Sequence, residues 1–182
     1  MKDIYRGSLV RLANDSPEIM AKAFVKWDRD TEQHRLADSD PAMLFSEKKI
    51  KDFIEKRAGK NPQAFPFSIR TLADDKLIGG VSLWVNSWTH ADTWVGISIG
   101  EREYWGKGYG TEATRLMLDY AFATLDLHSV MLRVYAYNLA GYRAYLKAGF
   151  RECGRRRQCK HMGGALWDVI YMECLASEFV QG

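Results

Sequence analysis

Trp105-Gly106-Lys107-Gly108-Tyr109-Gly110-Thr111-Glu112-Ala113 is the stretch on which the reading of this 182-residue chain turns. Three glycines alternate, and a helical pattern follows at once. Ala113, Leu116, Met117, Tyr120 and Ala121 recur at i, i+3, i+4, i+7 and i+8 and form one apolar stripe. A β-rich run, Thr93-Trp94-Val95-Gly96-Ile97-Ser98-Ile99, comes before the glycines. Strand, glycine turn and helix in that order leave the first N–H groups of the helix unpaired. Glycines do not obstruct an approaching ligand, and donors at the positive end of a helix dipole bind phosphate. Spacing separates the loops that share this logic. A dinucleotide loop begun at Gly106 needs glycine at 111, where Thr111 stands, and the Gly-Lys-Ser/Thr of a Walker loop is not supplied. A plain structural turn is the alternative.

Composition sets bounds. The length suits one domain, residues 1–182, and 47% hydrophobic with 13% aromatic residues is enough for a core. A net charge of +3 fits an anionic ligand without demanding nucleic acid, and no nucleic-acid partner is expected. Cys153, Cys159 and Cys174 include no C-x-x-C pair and cannot form a full disulfide set, so a reducing cytoplasm is expected and no metal site. The N-terminus lacks an apolar signal core and no run approaches a membrane span.

Along the chain, Tyr5 to Leu12 reads as a strand. Ser16 caps a helix with Pro17 at its first position, running to about Trp27. Asp28 to Pro41 is charged and reads as loop. Ser46 to Lys60 is a second amphipathic helix with Ile50, Phe53, Ile54 and Arg57 on one face. Phe67–Leu72, Lys76–Val85 (with a bulge suspected at Gly79-Gly80) and the strand before the glycines suggest an antiparallel meander. The helix after the glycines ends near Leu125-Asp126, and Val130 to Ala136 is strand again. Asn138 to Gly149 is a short helix with Asn138 as cap and Gly149 just past its end. Two β-like runs, about Arg151–Arg157 and Leu166–Leu175, close the chain around Met162-Gly163-Gly164. Their basic cluster is read as a solvated strand edge.

The glycine loop resembles the pyrophosphate loop of the GNAT acetyltransferases, Arg/Gln-x-x-Gly-x-Gly/Ala, with Trp105 at the Arg/Gln position. The string Tyr104-Trp105-Gly106-Lys107-Gly108-Tyr109 is similar to that of the RimJ/RimL-like ribosomal-protein branch. The segment from Asn138 to Phe150 resembles a second GNAT signature through Asn138, Tyr145, Gly149 and Phe150, with Gly141 at the small-residue position. The two motifs arrive in the family's order, separated by one helix and one strand. The resemblance implies an α/β (α+β) fold, a mixed, mostly antiparallel sheet of about six to seven strands with splayed central parallel strands and about four helices.

It also implies acetyl-CoA as cosubstrate and an amine acceptor: a protein N-terminus, a polyamine or an amino-bearing small molecule. Homodimers are common in the family. In that reading the amides of Ser98, Ile99 and Gly100 stabilise the oxyanion, and those of Gly106, Lys107, Gly108, Tyr109, Gly110 and Thr111 hold the pyrophosphate. Asn138 bonds the pantetheine arm, and Tyr145 protonates the leaving thiolate. Transfer is direct, because no activated Cys or Ser sits in a recognisable dyad. RimI-like enzymes carry a basic glutamate five residues before the asparagine. Here that residue is Arg133. Glu101, His90, Asp92, Asp168 or a water chain are the alternatives, and Glu101 is preferred because it sits where the strand opens beside the loop. A non-catalytic CoA-binding module on the same fold is the rival.

Overall fold

The computed structural model describes residues 3–37, 43–58 and 63–180. In chain order it contains β1 (Val10–Ala13), α1 (Pro17–Trp27), α2 (Thr31–Ala37), α3 (Glu47–Ala58), β2 (Ala64–Thr71), β3 (Leu77–Ser87) and β4 (Asp92–Ile99). After these come α4 (Tyr109–Asp119), β5 (Ser129–Tyr135), α5 (Leu139–Ala148), β6 (Arg151–Met162) and β7 (Ala165–Leu175). One sheet runs β1-β2-β3-β4-β5-β7-β6, and every pairing is antiparallel except that of β4 with β5. The mostly antiparallel mixed sheet of seven strands is therefore as expected from the motifs.

The apolar stripe of α4 and of the π-helical turn that continues it (Tyr120–Thr124) faces this sheet. Ala113, Leu116, Met117, Tyr120 and Ala121 are all buried, against Val81 and Leu83 of β3 and Val130, Leu132 and Val134 of β5. The Tyr120 ring meets Phe67 edge-on at 5.2 Å. The other sheet face carries α1: a Cβ on Gly80 would point at Met20 and Phe24. Helices on both faces of one sheet are what an amphipathic helix and a two-faced sheet require to bury their apolar sides.

Caps were legible. The Ser16 hydroxyl accepts the Ile19 N–H, Pro17 opens α1, and Gly149 takes φ 116° after α5. Two expectations change. Tyr5–Gly7 are not strand, and β1 begins only at Val10. The charged stretch read as loop holds α2, so five α-helices are present among the described residues, one more than expected. The Asp30 carboxylate caps α2 by accepting the Glu32 and Gln33 N–H groups (3.0 and 3.1 Å). The proposed ends at Pro41 and Lys60 and the Arg57 side chain lie outside the described residues.

Glu112, in the first turn of α4, explains why the N-terminal segment bends before β1. Its carboxylate accepts the N–H groups of Ser8, Leu9 and Val10 (2.8, 2.7 and 2.8 Å) and the Ser8 hydroxyl (2.5 Å). Burial pushes this carboxyl up, but the Ser8, Leu9 and Val10 bonds outweigh it and hold it below the ordinary value of 4.5. Glu112→Ala is expected to lower unfolding free energy by about 2–3 kcal/mol, since charge-assisted hydrogen bonds are lost together. A folded-state pKa below the unfolded one adds stability above the unfolded value, and this is lost as pH falls through the folded value. The difference between wild type and variant in urea titrations should therefore be full at pH 7 and shrink below about pH 4.5.

Candidate active site

β4 and β5 pair only over Asp92–Trp94 and Ser129–Met131. Beyond those residues they separate, and a cleft of about 1530 Å³ opens between them. The register of β2 on β3 slips between Ile69 and Arg70, which leaves Ile78 bulged. The Ile78 carbonyl then accepts the N–H groups of Gly100 (2.8 Å) and Glu101 (3.4 Å), and β4 ends there.

The pairing of β3 with β4 decides which amides face the opening. Gly100 N–H points at β3, and alternation turns Ser98 N–H the same way. The Ile99 backbone faces the cleft side, where its carbonyl accepts the Trp105 indole N–H at 2.7 Å. Of the amides expected to bind an oxyanion, Gly100 is thus spent on β3, and Ser98 follows it by parity. Ile99 remains and is joined by Ile97, which the sequence reading missed because it depends on which β4 amides β3 takes up. The Ser98 hydroxyl instead accepts from Gln33 Nε2 (2.9 Å).

The glycine turn takes the shape the spacing demanded. Gly106 and Gly108 have φ of 70° and 92°, and Gly108 is the N-cap of α4. Glu112 N–H bonds the Gly108 carbonyl, so the N–H groups of Tyr109, Gly110 and Thr111 are the ones left by the helix. Gly106, Gly108, Gly110 and Thr111 line the cleft, with Arg143 and Lys147 of α5 beside them. The Lys107 side chain is exposed and does not line it, and the Tyr109 ring turns away to meet Tyr104 edge-on at 5.0 Å. Unpaired amides, a helix dipole and two cations suit an anionic diphosphate, so the residues present fit coenzyme A.

Asn138 and Tyr145 both line the same cleft. Asn138 is more committed than expected. Its Oδ1 accepts the Gly141 N–H (2.9 Å) and its Nδ2 donates to the Leu36 carbonyl (3.2 Å), tying α5 to the end of α2. The Tyr137 hydroxyl donates to the Arg35 carbonyl at 2.8 Å and reinforces that tie. Tyr145 packs edge-on to Phe150 at 6.1 Å, and burial pushes its pKa up to about 12. A phenol in that state carries its proton throughout the neutral range.

Glu101 does not reach the cleft. Its side chain, 14% exposed, pairs with Lys26 and accepts the Trp27 indole N–H at 2.9 Å. Burial raises the carboxyl, but the Lys26 and Trp27 bonds and the Lys26 and Lys76 charges prevail and keep it below the ordinary value. A Cβ on Gly100 would collide with the Trp27 indole, so the ring that holds the Glu101 carboxylate covers the end of β4. Both facts speak against the proton-accepting role given to Glu101. His90, Asp92 and Asp168 are also absent from the cleft wall. Asp168 is held by Gln158 N–H (2.8 Å) and Arg155 (3.5 Å).

Residues 9–151 match the model of the acetyltransferase (GNAT) domain. The chain belongs to the GNAT acetyltransferase family. It is similar to YnaD of Bacillus subtilis, an uncharacterized N-acetyltransferase, at 30% identity over 141 residues, covering 76% of this chain and 79% of that one. The spermidine N(1)-acetyltransferase of Vibrio cholerae is 32% identical over 108 residues, 59% of this chain and 62% of its own. A crystal structure of the Vibrio cholerae spermidine N-acetyltransferase with CoA and spermine shares the fold with a TM-score of 0.82 at 23% identity, covering 94% and 98% of the two chains. In this GNAT chain Trp105 departs from the Arg/Gln of the loop pattern. Its indole N–H supplies a donor to the end of β4, and the Arg102 guanidinium stacks over its ring at 5.5 Å. Among the described residues no helix is long and apolar enough to cross a membrane, and no group of His, Cys, Asp and Glu could hold a metal ion.

Proposed function

We propose that this GNAT protein transfers an acetyl group from acetyl-CoA directly to a primary amine, within a complex of both substrates. The observation that carries the reading is the splay of β4 from β5, which places the α4 N-terminus, the cleft-facing amides of Ile97 and Ile99 and the Tyr145 phenol along one cleft. The Tyr109, Gly110 and Thr111 amides would hold the diphosphate, with Arg143 and Lys147 adding positive charge. Bound acetyl-CoA supplies an activated acetyl carbonyl. Ile97 and Ile99 N–H aim at the opening, where negative charge would develop on oxygen. Tyr145 Oη holds a proton for the departing sulfur. With no acidic or imidazole group on the acceptor side among the described residues, the amine's proton passes to water.

A RimJ/RimL-like acceptor such as a protein N-terminus and a small-molecule amine both suit this chemistry. The test is release of free CoA thiol when acetyl-CoA and an amine panel are mixed. Turnover with at least one amine is expected, whereas CoA binding without thiol release from any would leave a non-catalytic module. The pH profile gives a second expected outcome. kcat/KM for the amine should climb with pH as the acceptor deprotonates and should not fall between about pH 9 and 10, where an ordinary tyrosine would ionise. A loss of activity over that interval would show that the phenol ionises at its ordinary value and does not hold its proton to about pH 12.

A further inference from the structure

One buried polar atom on the cleft wall is not explained by the fold. Gln33 on α2 is 9% exposed and lines the cleft. Its Nε2 donates to the Ser98 hydroxyl at 2.9 Å, but its Oε1 has no hydrogen-bond partner. A buried carbonyl oxygen without a donor costs stability unless something else supplies one. The segment around it is held firmly. Asp30 accepts the Gln33 N–H and pairs with Arg102 (2.5 Å to Nη2), and Asn138 and Tyr137 hold the far end of α2. Gln33 is therefore placed by four separate ties.

The surface next to it has a definite character. Residues two apart on β4 share one sheet face, so Ser98, Gly96 and Trp94 form a row. Over Gly96 lies the Trp84 ring: a Cβ there would stand 2.8 Å from the indole. Trp94 meets the Tyr171 ring edge-on at 6.2 Å. Trp84, Trp94 and Tyr171 all line the cleft. The row is thus an aromatic trough closed at the Ser98 end by the unused Gln33 oxygen. Among the described residues the acids on the cleft wall, Glu112 and Asp119, both belong to α4 and not to this row.

We infer that Gln33 Oε1 accepts a hydrogen bond from the acceptor nitrogen, and that the trough takes an apolar or aromatic stem, so the acceptor is a primary amine on such a stem. The inference rests on the acetyltransferase reading and names its substrate class. In the transfer the nitrogen bonds to the acetyl carbon as the C–S bond breaks. One proton leaves nitrogen for water and one reaches sulfur, so an amine and a thioester become an amide and a thiol. A neutral amide oxygen cannot take that proton. It orients the nitrogen while the aromatic rings hold the stem and stabilise an arriving cation.

The experiment compares wild type with Gln33→Leu and Gln33→Glu, using 2-phenylethylamine, hexylamine and spermidine as acceptors. Calorimetric titration of 2-phenylethylamine is run in parallel, because it needs no turnover. Expected are a rise of tenfold or more in KM for 2-phenylethylamine in the leucine variant, KM for acetyl-CoA within twofold, and a matching loss in calorimetric affinity. The glutamate variant keeps an acceptor oxygen and should stay within threefold of wild type. kcat/KM should favour the two stemmed amines over spermidine. Amine binding that depends on Gln33 without thiol release would uphold this site and sink the transferase reading. An unchanged amine KM in Gln33→Leu, equal losses in the leucine and glutamate variants, a preference for spermidine, or no amine binding at all would each overturn the inference.

Discussion

Tyr145→Phe is expected to lower kcat about a hundredfold while leaving CoA affinity within a factor of two. Removing a positioned proton donor costs in that range. The substitution deletes one oxygen and little else. The hydroxyl has no hydrogen-bond partner among the described residues, and the ring keeps its contact with Phe150. A melting temperature close to wild type is therefore part of the expectation. The raised pKa of about 12 sharpens it, because the lost group is a phenol that holds its proton, not a phenolate acting as base. Stopped-assay thiol release at saturating acetyl-CoA, with calorimetry for CoA itself, separates the two effects. An unchanged kcat would remove Tyr145 from the chemistry.

The second large effect concerns the loop. Gly106→Asp should weaken CoA binding about a hundredfold, and Gly106→Asn much less. A Cβ at Gly106 meets nothing within 4 Å, and its φ of 70° is one that Asp and Asn adopt more readily than other side chains. The pair therefore differs in charge and little in fold. A carboxylate at that point stands on the wall where the diphosphate would lie, and one unit of like charge at about 4 Å costs roughly 1–4 kcal/mol between bulk water and a protein surface. Raising ionic strength should narrow the gap between the two variants. Equal binding by both would mean that no anion sits there.

What could be read from the sequence was what is decided locally. The glycine turn, the stripe of α4 and the caps at Ser16, Asn138 and Gly149 depend on residues within a few positions of one another. α2 escaped because seven residues are too few to show an apolar period, although Asp30 followed by Gln33 three residues on is a helix-start pattern. Glu101 was misjudged for a non-local reason. The residues that claim its carboxylate, Lys26 and Trp27, are 75 and 74 positions away in the chain. The parity of the β4 amides was equally out of reach, because it is set by the register in which another strand, β3, pairs with β4. Gln33 is the same case: a charged loop in the sequence conceals a buried amide resting on Ser98.

Amide resonances of isotopically labelled protein, followed through a titration with CoA, reach the central point most directly. The expected result is saturable binding with the largest shifts at Tyr109, Gly110 and Thr111, and a second set at Ile97 and Ile99. Saturation without movement of the first three resonances, or no binding at millimolar CoA, would contradict a diphosphate held at the start of α4.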